Sequence, residues 1–167
     1  KTVNRTDDRN GYLLLSNSWK SRVGAGDFVL LKVKNAGDGI LIQSSDSVRV
    51  EDVTIHASGS LGMALRFLTG DNYFRFTIKP GPKPEGATEE RLLATNADGT
   101  QAFWCPGSLI FDRCDLGFTG DDCINISIPQ NFKIVKVLTP TKVLAAIDTT
   151  NLYHVEQMVA HTKRGDI

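Results

Sequence analysis

Gly39–Ile42 (GILI) recurs 23 residues later as Gly62–Leu65 (GMAL). Val50–Ile55 (VEDVTI) recurs at the same spacing as Tyr73–Ile78 (YFRFTI). The second pattern returns at Phe111–Leu116 (FDRCDL), again with apolar residues at its first, fourth and sixth positions. These runs are rich in residues that favour β-strands, and turn residues separate them. Since a run of this length cannot bury its own apolar face, the repeat predicts stacked coils that share one core.

Stacked coils of short strands are typical of a right-handed parallel β-helix. The sequence therefore predicts an all-β fold of this kind, with about four coils visible in the repeat. An antiparallel sandwich also has short strands at regular spacing. It does not require the strands to match at one coil length, so we favour the β-helix.

The predicted domain organisation follows the limits of the repeat. The coils are expected in residues 35–128. Residues 1–34 are expected to form an N-terminal arm with first strands at Tyr12–Leu15 and Phe28–Val33, because these runs are rich in strand-forming residues. Residues 129–167 are expected to form a β-rich insertion or appendage, because the period stops beyond Pro129.

Two local patterns interrupt or follow the coils. Lys79–Thr88 carries three prolines in five positions, which cannot donate to a strand ladder, so a projecting loop is expected there. Lys133–Leu138 and Lys142–Ile147 flank a Thr-Pro-Thr turn and predict a hairpin. Loops that project from a rigid repeat commonly form the wall of a binding cleft.

The charge composition limits the classes of partner that the chain is expected to bind. Lysine plus arginine and aspartate plus glutamate both total 19, so the formal net charge is zero. Such a balance predicts no affinity for nucleic acid or for an anionic membrane, and it is compatible with a neutral sugar. No apolar run approaches the roughly 18 residues of a transmembrane helix, and no signal segment opens the sequence.

Three cysteines, Cys105, Cys114 and Cys123, have apolar neighbours. They are expected to be small buried hydrophobes. Zinc binding is not expected, because the close cysteine pairs of zinc sites are missing from this spacing.

Three carboxylates belong to the repeat. Ala97–Gln101 matches Asp121–Asn125 at an offset of 24 residues. Because neighbouring strands lie about 4.8 Å apart, this offset places Asp98 beside Asp122, with Asp121 just ahead of it. The strand that follows should turn Ile124 and Ile126 toward the core and Asn125 outward.

Clustered carboxylates raise one another's pKa, so one can keep its proton near neutral pH while another stays ionised. Glycoside hydrolysis uses this division of labour, since an acid protonates the leaving oxygen and a carboxylate activates water or attacks the sugar. Two alternatives remain open on the residues alone. Asp-Asp and Asn-x-Asp-Gly are common in turns, and three acidic side chains could also hold calcium.

Asn96–Gly99 (NADG), Gly107–Cys114 (GSLIFDRC) and Gly120–Asn125 (GDDCIN) together resemble the active-site coils of β-helical glycoside hydrolases. The pattern is similar to that of polygalacturonases, and it is more similar to that of the α-1,3-galactosidases of glycoside hydrolase family 110. The second resemblance extends from about Gly26 to Val137. Histidines usual in that family are replaced here by residues of Thr100–Phe103 and by Ile126-Ser127.

The resemblance implies an inverting hydrolase of terminal α-galactosides, without a cofactor or metal. Asp121 would be the general acid, and Asp98 with Asp122 would position the water. Further substrate-binding residues expected from their positions near these coils are Asn125, Gln101, Trp104, Asn96, Arg66 and His56.

The partner implied is an oligosaccharide or polysaccharide, and the location implied is secreted or periplasmic. Because only about four coils are visible, the coils are expected to contact other parts of a longer chain or a second copy. The alternative function is a non-catalytic glycan-binding β-helix module of an adhesin or fibre.

Overall fold

The computed structural model of this 167-residue chain describes residues 3–7, 11–13, 22–30, 32, 36–128 and 132–147. The chain is all-β, and the described ranges contain strands, turns and loops but no helix. Accordingly, none of these ranges holds a helix able to cross a membrane. The chain divides into two compact units, Lys1–Leu31 and Lys32–Ile167.

The first unit contains a small antiparallel pair, β1 (Val3–Arg5) and β2 (Gly11–Leu13). The second strand overlaps the predicted Tyr12–Leu15, whose last two residues lie outside the described ranges. The predicted strand Phe28–Val33 is wrong where it can be compared, because residues 28–30 are an exposed loop without strand pairing. The apolar side chains of Phe28, Val29 and Leu30 are exposed, so their strand propensity is not supported by packing within this unit.

The second unit contains two parallel sheets. The first sheet has the strand order β10-β7-β5-β3, and the second has the order β4-β6-β8, with β9 also paired to β6. The strands are β3 (Ile40–Gln43), β4 (Arg49–Ile55), β5 (Met63–Arg66), β6 (Asp71–Ile78), β7 (Thr100–Phe103), β8 (Ser108–Phe111), β9 (Asp115–Leu116) and β10 (Ile124–Ser127).

The chain passes alternately through the two sheets, with β8 and β9 both on the second, so each return to the first sheet completes one coil. Ile40 pairs with Met63, as the 23-residue repeat predicts, and Thr100 pairs with Ile124 at the predicted offset of 24. Met63 pairs with Thr100, which is 37 residues on, because the proline-containing loop lengthens that coil. The sequence repeat thus predicts two of the three strand pairings in the first sheet.

The register of the second sheet differs from the predicted one at two places. Tyr73 pairs with Arg49 rather than Val50, and the spacing becomes 23 only beyond Asp52, which has a φ of 56°. Phe111 pairs with Phe74 rather than Tyr73. In the first case β4 carries an extra residue, a β-bulge, and in the second the extra residue lies between β8 and β9. A fixed-period match cannot detect either one.

The core lies between the two sheets and is made of buried residues from both. Phe74, Phe76 and Ile78 alternate with half-buried residues along β6, and Met63 and Leu65 face the same interior from β5. Phe74 and Phe111 stack with ring centres 5.4 Å apart. This packing of aliphatic and aromatic side chains fixes the register of the coils.

Glycine allows the coils to stack closely just before the first sheet. A Cβ on Gly62 would lie 2.5 Å from the carbonyl oxygen of Gly99, and one on Gly99 would lie 2.6 Å from that of Cys123. A Cβ on Gly39 would likewise lie 2.6 Å from the carbonyl oxygen of Gly62. Cys123 occupies the equivalent place in the last coil, where no described strand stacks beyond it. The glycine of the repeat is therefore required wherever another coil follows.

The last coil is open on one side. Ile124 and Ile126 pair with the buried residues Thr100 and Ala102, so they belong to the inward rows as predicted. Their predicted burial is wrong, since they are 38% and 67% exposed. The reason is that β10 is the edge of its sheet in the described part of the chain.

The predicted hairpin is present at its predicted residues. The strands β11 (Phe132–Thr139) and β12 (Lys142–Ile147) pair antiparallel. The cysteines are all free thiols. Cys105 and Cys114 pack partly against the core, as expected, whereas the expectation for Cys123 is wrong because it lies exposed in the last coil.

Candidate functional site

Stacked turns before the strands of the first sheet position the carboxylates. The Gly62 amide donates to the carbonyl oxygen of Asp98 at 3.0 Å, and the Gly99 amide donates to that of Asp122 at 2.8 Å. These hydrogen bonds continue the parallel ladder into the turns. As a result, Asp98 and Asp122 occupy equivalent places in neighbouring coils, as the 24-residue offset predicts.

The three predicted carboxylates lie together. One side-chain oxygen each from Asp98, Asp121 and Asp122 lies within 4.8 Å of the other two. Asp98 is 7% exposed, whereas Asp121 and Asp122 are exposed. The cluster therefore combines one carboxylate held in the protein with two that solvent or a ligand can reach. Carboxylate oxygens are also the ligands that calcium prefers.

Two hydrogen bonds hold the exposed side of this cluster. The side-chain amide of Asn125 donates to Oδ2 of Asp122 at 3.2 Å. The hydroxyl of Thr119 donates to the carbonyl oxygen of Asp121 at 2.8 Å. Asn125 also pairs with Gln101 in the sheet, so both side chains lie on the same face as predicted.

Lys32 contacts the turn that carries Asp121 and Asp122. Its ammonium donates to the carbonyl oxygen of Gly120 at 2.5 Å. A Cβ on Gly120 would lie 2.5 Å from the Asn96 carbonyl oxygen and 2.8 Å from Nζ of Lys32. Glycine is therefore needed here so that the lysine and the preceding coil can approach the backbone closely.

A cavity of about 460 Å³ opens beside the carboxylate cluster. A volume of this size is within the usual range of ligand pockets. Its lining combines carboxylates, an arginine, a glutamine and backbone of the stacked turns. The lining residues are Gly37, Asp38, Ser60, Leu61, Arg66, Ala97, Asp98, Gln101 and Asp121.

Asp38 is a lining residue that the sequence patterns did not reveal. It immediately precedes Gly39, just as Asp98 precedes Gly99, and these glycines occupy the same place in their coils. An aspartate directly before this glycine in two coils was the pattern that could have revealed Asp38. It was hidden because the elongated coil between Gly62 and Gly99 breaks the 23-residue period.

Two of the other predicted substrate-binding residues line the cavity, namely Arg66 and Gln101. Trp104 and Asn96 do not line it. Trp104 follows β7 at a corner with a φ of 48°, and Phe67 takes a φ of 56° at the same corner of the preceding coil. The backbone of Asn96 donates to the carbonyl oxygen of Ser58 at 3.3 Å, which places it in the ladder of turns.

The structure does not bring His56 to the carboxylates. It follows β4 of the second sheet, and its Nδ1 lies 3.1 Å from the carbonyl oxygen of Lys79. It lines a different cavity of about 320 Å³, together with residues of the proline-containing loop such as Gly81 and Pro82. The expectation that His56 lines the same groove is thus wrong, because its strand belongs to the other sheet.

Several pKa shifts belong to groups of the second sheet and of the core. On the second sheet, Arg113 and Tyr73 both donate to the Asp112 carboxylate, and these hydrogen bonds lower the pKa of Asp112. Next to this group, Arg75 contacts both Glu51 and Asp52. Burial raises the pKa of the Cys105 thiol. These groups connect neighbouring coils or fill the core, and none of them lines the cavity beside Asp98.

Comparisons of this chain with protein-family models, with curated protein sequences and with solved structures found no match. The functional argument therefore rests on the geometry of the described residues.

Proposed function

We propose that the second unit is a right-handed parallel β-helix. Three observations support this assignment: strands that alternate between two parallel sheets, ladder hydrogen bonds that continue through the turns, and a core enclosed between the sheets. The hand follows from the strong preference of parallel crossover connections for the right-handed form.

On this scaffold we propose a glycoside hydrolase that cleaves a terminal α-galactoside. The observation that carries this proposal is the trio Asp98, Asp121 and Asp122, whose oxygens lie within 4.8 Å of one another beside an open cavity. General acid–base cleavage of a glycosidic bond needs paired carboxylates that a sugar can reach. The resemblance of the same residues to family 110 α-1,3-galactosidases supplies the choice of sugar.

The proposed roles are those that the family resemblance implies. Asp121 is exposed at the cavity and would protonate the leaving oxygen. Asp98 is buried and Asp122 accepts a hydrogen bond from Asn125, so both have the fixed positions that holding a water requires. Gln101 and Arg66 would donate hydrogen bonds to sugar hydroxyls from the cavity wall.

The short distances among the three carboxylates bear on whether the reaction inverts or retains the anomeric configuration. Inverting enzymes usually separate their two carboxyl groups by roughly 6.5–9.5 Å, with the water between them. Here the nearest oxygens lie within 4.8 Å. This separation is nearer to the roughly 5–5.5 Å of retaining enzymes, so the inversion that the family resemblance implies requires the water to lie beside the trio, held by Asp98 and Asp122, rather than in a gap between acid and base.

The test is hydrolysis of p-nitrophenyl α-galactoside by the parent chain and by Asp98→Asn, Asp121→Asn and Asp122→Asn. Asp115→Asn, at an exposed aspartate on the second sheet, is the matched control. We expect each site variant to lose at least about 100-fold in kcat, because general acid–base groups commonly contribute 10² to 10⁴. The control should keep the parent rate. Equal rates in all four variants would refute the proposed roles.

The alternative is a non-catalytic module that binds glycan through the same cavity. It predicts galactoside binding without hydrolysis by the parent. A calcium-stabilised turn is another interpretation of the trio, and it predicts a lower Tm in chelator, whereas the hydrolase proposal predicts no change.

The hydrolase proposal also includes an oligosaccharide or polysaccharide partner, contacts with further coils or a second copy, and a secreted or periplasmic location.

A further inference from the structure

Lys32 contacts the last coil from a distant part of the sequence. Its ammonium donates to the carbonyl oxygen of Gly120 at 2.5 Å, and the two residues are 88 positions apart. The amide of the same glycine donates to the carbonyl oxygen of Ala97, in the preceding coil, at 3.1 Å. Residues 120–122, which we call the outer turn, thus begin at a glycine that is held by a neighbouring coil and by a side chain.

The contact from Lys32 matters because the outer turn belongs to the edge of the first sheet. The turn that carries Asp98 lies between two others, since the Gly62 amide donates to the Asp98 carbonyl oxygen and the Gly99 amide donates to the next coil. In the described part of the chain no strand pairs with the far side of β10. A turn with fewer backbone partners opens more easily. Lys32 therefore stabilises the turn that has a neighbouring coil on one side alone.

The contact is a specific hydrogen bond and not a loosely placed surface charge. Lys32 is half-buried, although lysine side chains are mostly exposed in proteins. Hydrogen bonds from a charged donor are stronger than neutral ones, and partial shielding from water strengthens them further. Removing the ammonium would leave the Gly120 carbonyl oxygen without this donor and would loosen the outer turn.

We propose that Lys32 is a positioning residue for the carboxylate trio. By holding the Gly120 carbonyl oxygen, it keeps the outer turn against the preceding coil, so that Asp121 and Asp122 stay beside Asp98. It acts through the backbone and does not touch the sugar. The inference rests on the proposed function for its catalytic consequence, because the trio spans two turns and is complete only when they are stacked.

Three variants separate this contact from a general effect of charge. Lys32→Met keeps the apolar stem but removes the donor, whereas Lys32→Arg keeps a charged donor. Lys142→Met removes an exposed lysine of β12 and is the matched control. The Tm of each variant is measured first, and we expect values close to that of the parent.

The first readout is hydrogen exchange of backbone amides by NMR, which does not depend on activity. In Lys32→Met we expect the Gly120 amide to exchange at least about 10-fold faster, because its hydrogen bond to Ala97 opens more often once the charged donor is lost. The Met63 amide, which donates to a turn carbonyl oxygen between inner coils, should keep the parent rate. The other two variants should exchange like the parent at both amides.

The second readout is the pair of constants kcat and KM for p-nitrophenyl α-galactoside. Lys32→Met should lower kcat about 10-fold and change KM less than about twofold, because displaced carboxylates slow proton transfer more than they weaken sugar binding. Lys32→Arg should recover most of the parent kcat. Lys142→Met should keep both constants.

The two readouts distinguish this inference from the proposed hydrolase. Parent exchange at Gly120 in Lys32→Met, or an unchanged kcat despite faster exchange, would refute the positioning role and leave hydrolysis by the parent unaffected. Equal acceleration at Gly120 and Met63 would also refute it, since Lys32 would then stabilise the whole fold. Faster exchange at Gly120 alone, in a protein whose parent hydrolyses no galactoside, would support the hold on the outer turn and refute the hydrolase.

Discussion

Asn125 donates a hydrogen bond from its side-chain amide to Oδ2 of Asp122 at 3.2 Å. Both residues lie in the last coil, at the exposed side of the carboxylate trio. The neutral amide fixes one rotamer of a carboxylate that would otherwise be free to turn into solvent. The position of Asp122 in the proposed mechanism therefore depends on a neighbour three residues further along the chain.

Replacing Asn125 by Ala removes this donor. We expect kcat/KM for p-nitrophenyl α-galactoside to fall about 10-fold, which corresponds to ~1.4 kcal/mol, at the upper end of the range of a typical hydrogen bond. Asn125→Asp should be more harmful, because it adds a fourth carboxylate to the trio. Steady-state kinetics measure both effects. Unchanged kinetics in both variants would show that Asn125 does not position Asp122.

The close stacking of the coils predicts that replacement by alanine destabilises the protein at Gly62 but not at Gly117. Gly62→Ala should lower the free energy of unfolding by about 1–3 kcal/mol, since its Cβ would lie 2.5 Å from the Gly99 carbonyl oxygen. Gly117→Ala is the control, because a Cβ there meets no atom within 4 Å. Denaturant unfolding measures both. Equal stabilities of the two variants would contradict the stacking of these coils.

Acid should weaken the interaction between Asp112 and Tyr73. Hydrogen bonds from Arg113 and Tyr73 lower the pKa of Asp112 from 3.8 in the folded state. The folded state thus favours the ionised carboxylate, and its contribution is present above pH 3.8 and lost as the pH falls through the lowered value.

We therefore expect Asp112→Asn to have a lower Tm than the parent near neutral pH. The difference should shrink as the pH falls below 3.8, where the parent carboxylate becomes protonated as well. Asp115→Asn provides the control for a general effect of removing one negative charge from this sheet. A difference in Tm that is independent of pH would argue against the ionised carboxylate as its cause.

The anomer released first tests the stereochemical part of the account. With Asp98 and Asp122 holding the water, an α-galactoside should yield β-galactose first, and proton NMR distinguishes the two anomers before they equilibrate. First release of α-galactose would indicate retention, and one of the three aspartates would then act as a nucleophile.

The coil spacing and the acid cluster could be predicted from the sequence, because parallel strands in stacked coils repeat at nearly constant length. The match of Ala97–Gln101 to Asp121–Asn125 is the actual register of β7 and β10. Asp38 could not be placed this way, since the loop after Ile78 lengthens one coil and interrupts the period.

The sequence patterns also could not predict how exposed a side chain is or which other residues lie near it. Alternation correctly assigns Ile124 and Ile126 to the inward rows, but it cannot tell whether a further coil covers them. His56 lies close in sequence to the repeat, yet its strand belongs to the other sheet. Such assignments depend on the three-dimensional path of the chain between strands.

The central claim is that the trio cleaves a glycosidic bond, and the most direct measurement is galactose release from an α-1,3-linked galactose disaccharide, followed by NMR. The account predicts release by the parent chain and by Asp115→Asn, and none above background by the double variant Asp121→Asn/Asp122→Asn at the same Tm. No release by the parent, or continued release by the double variant, would contradict it.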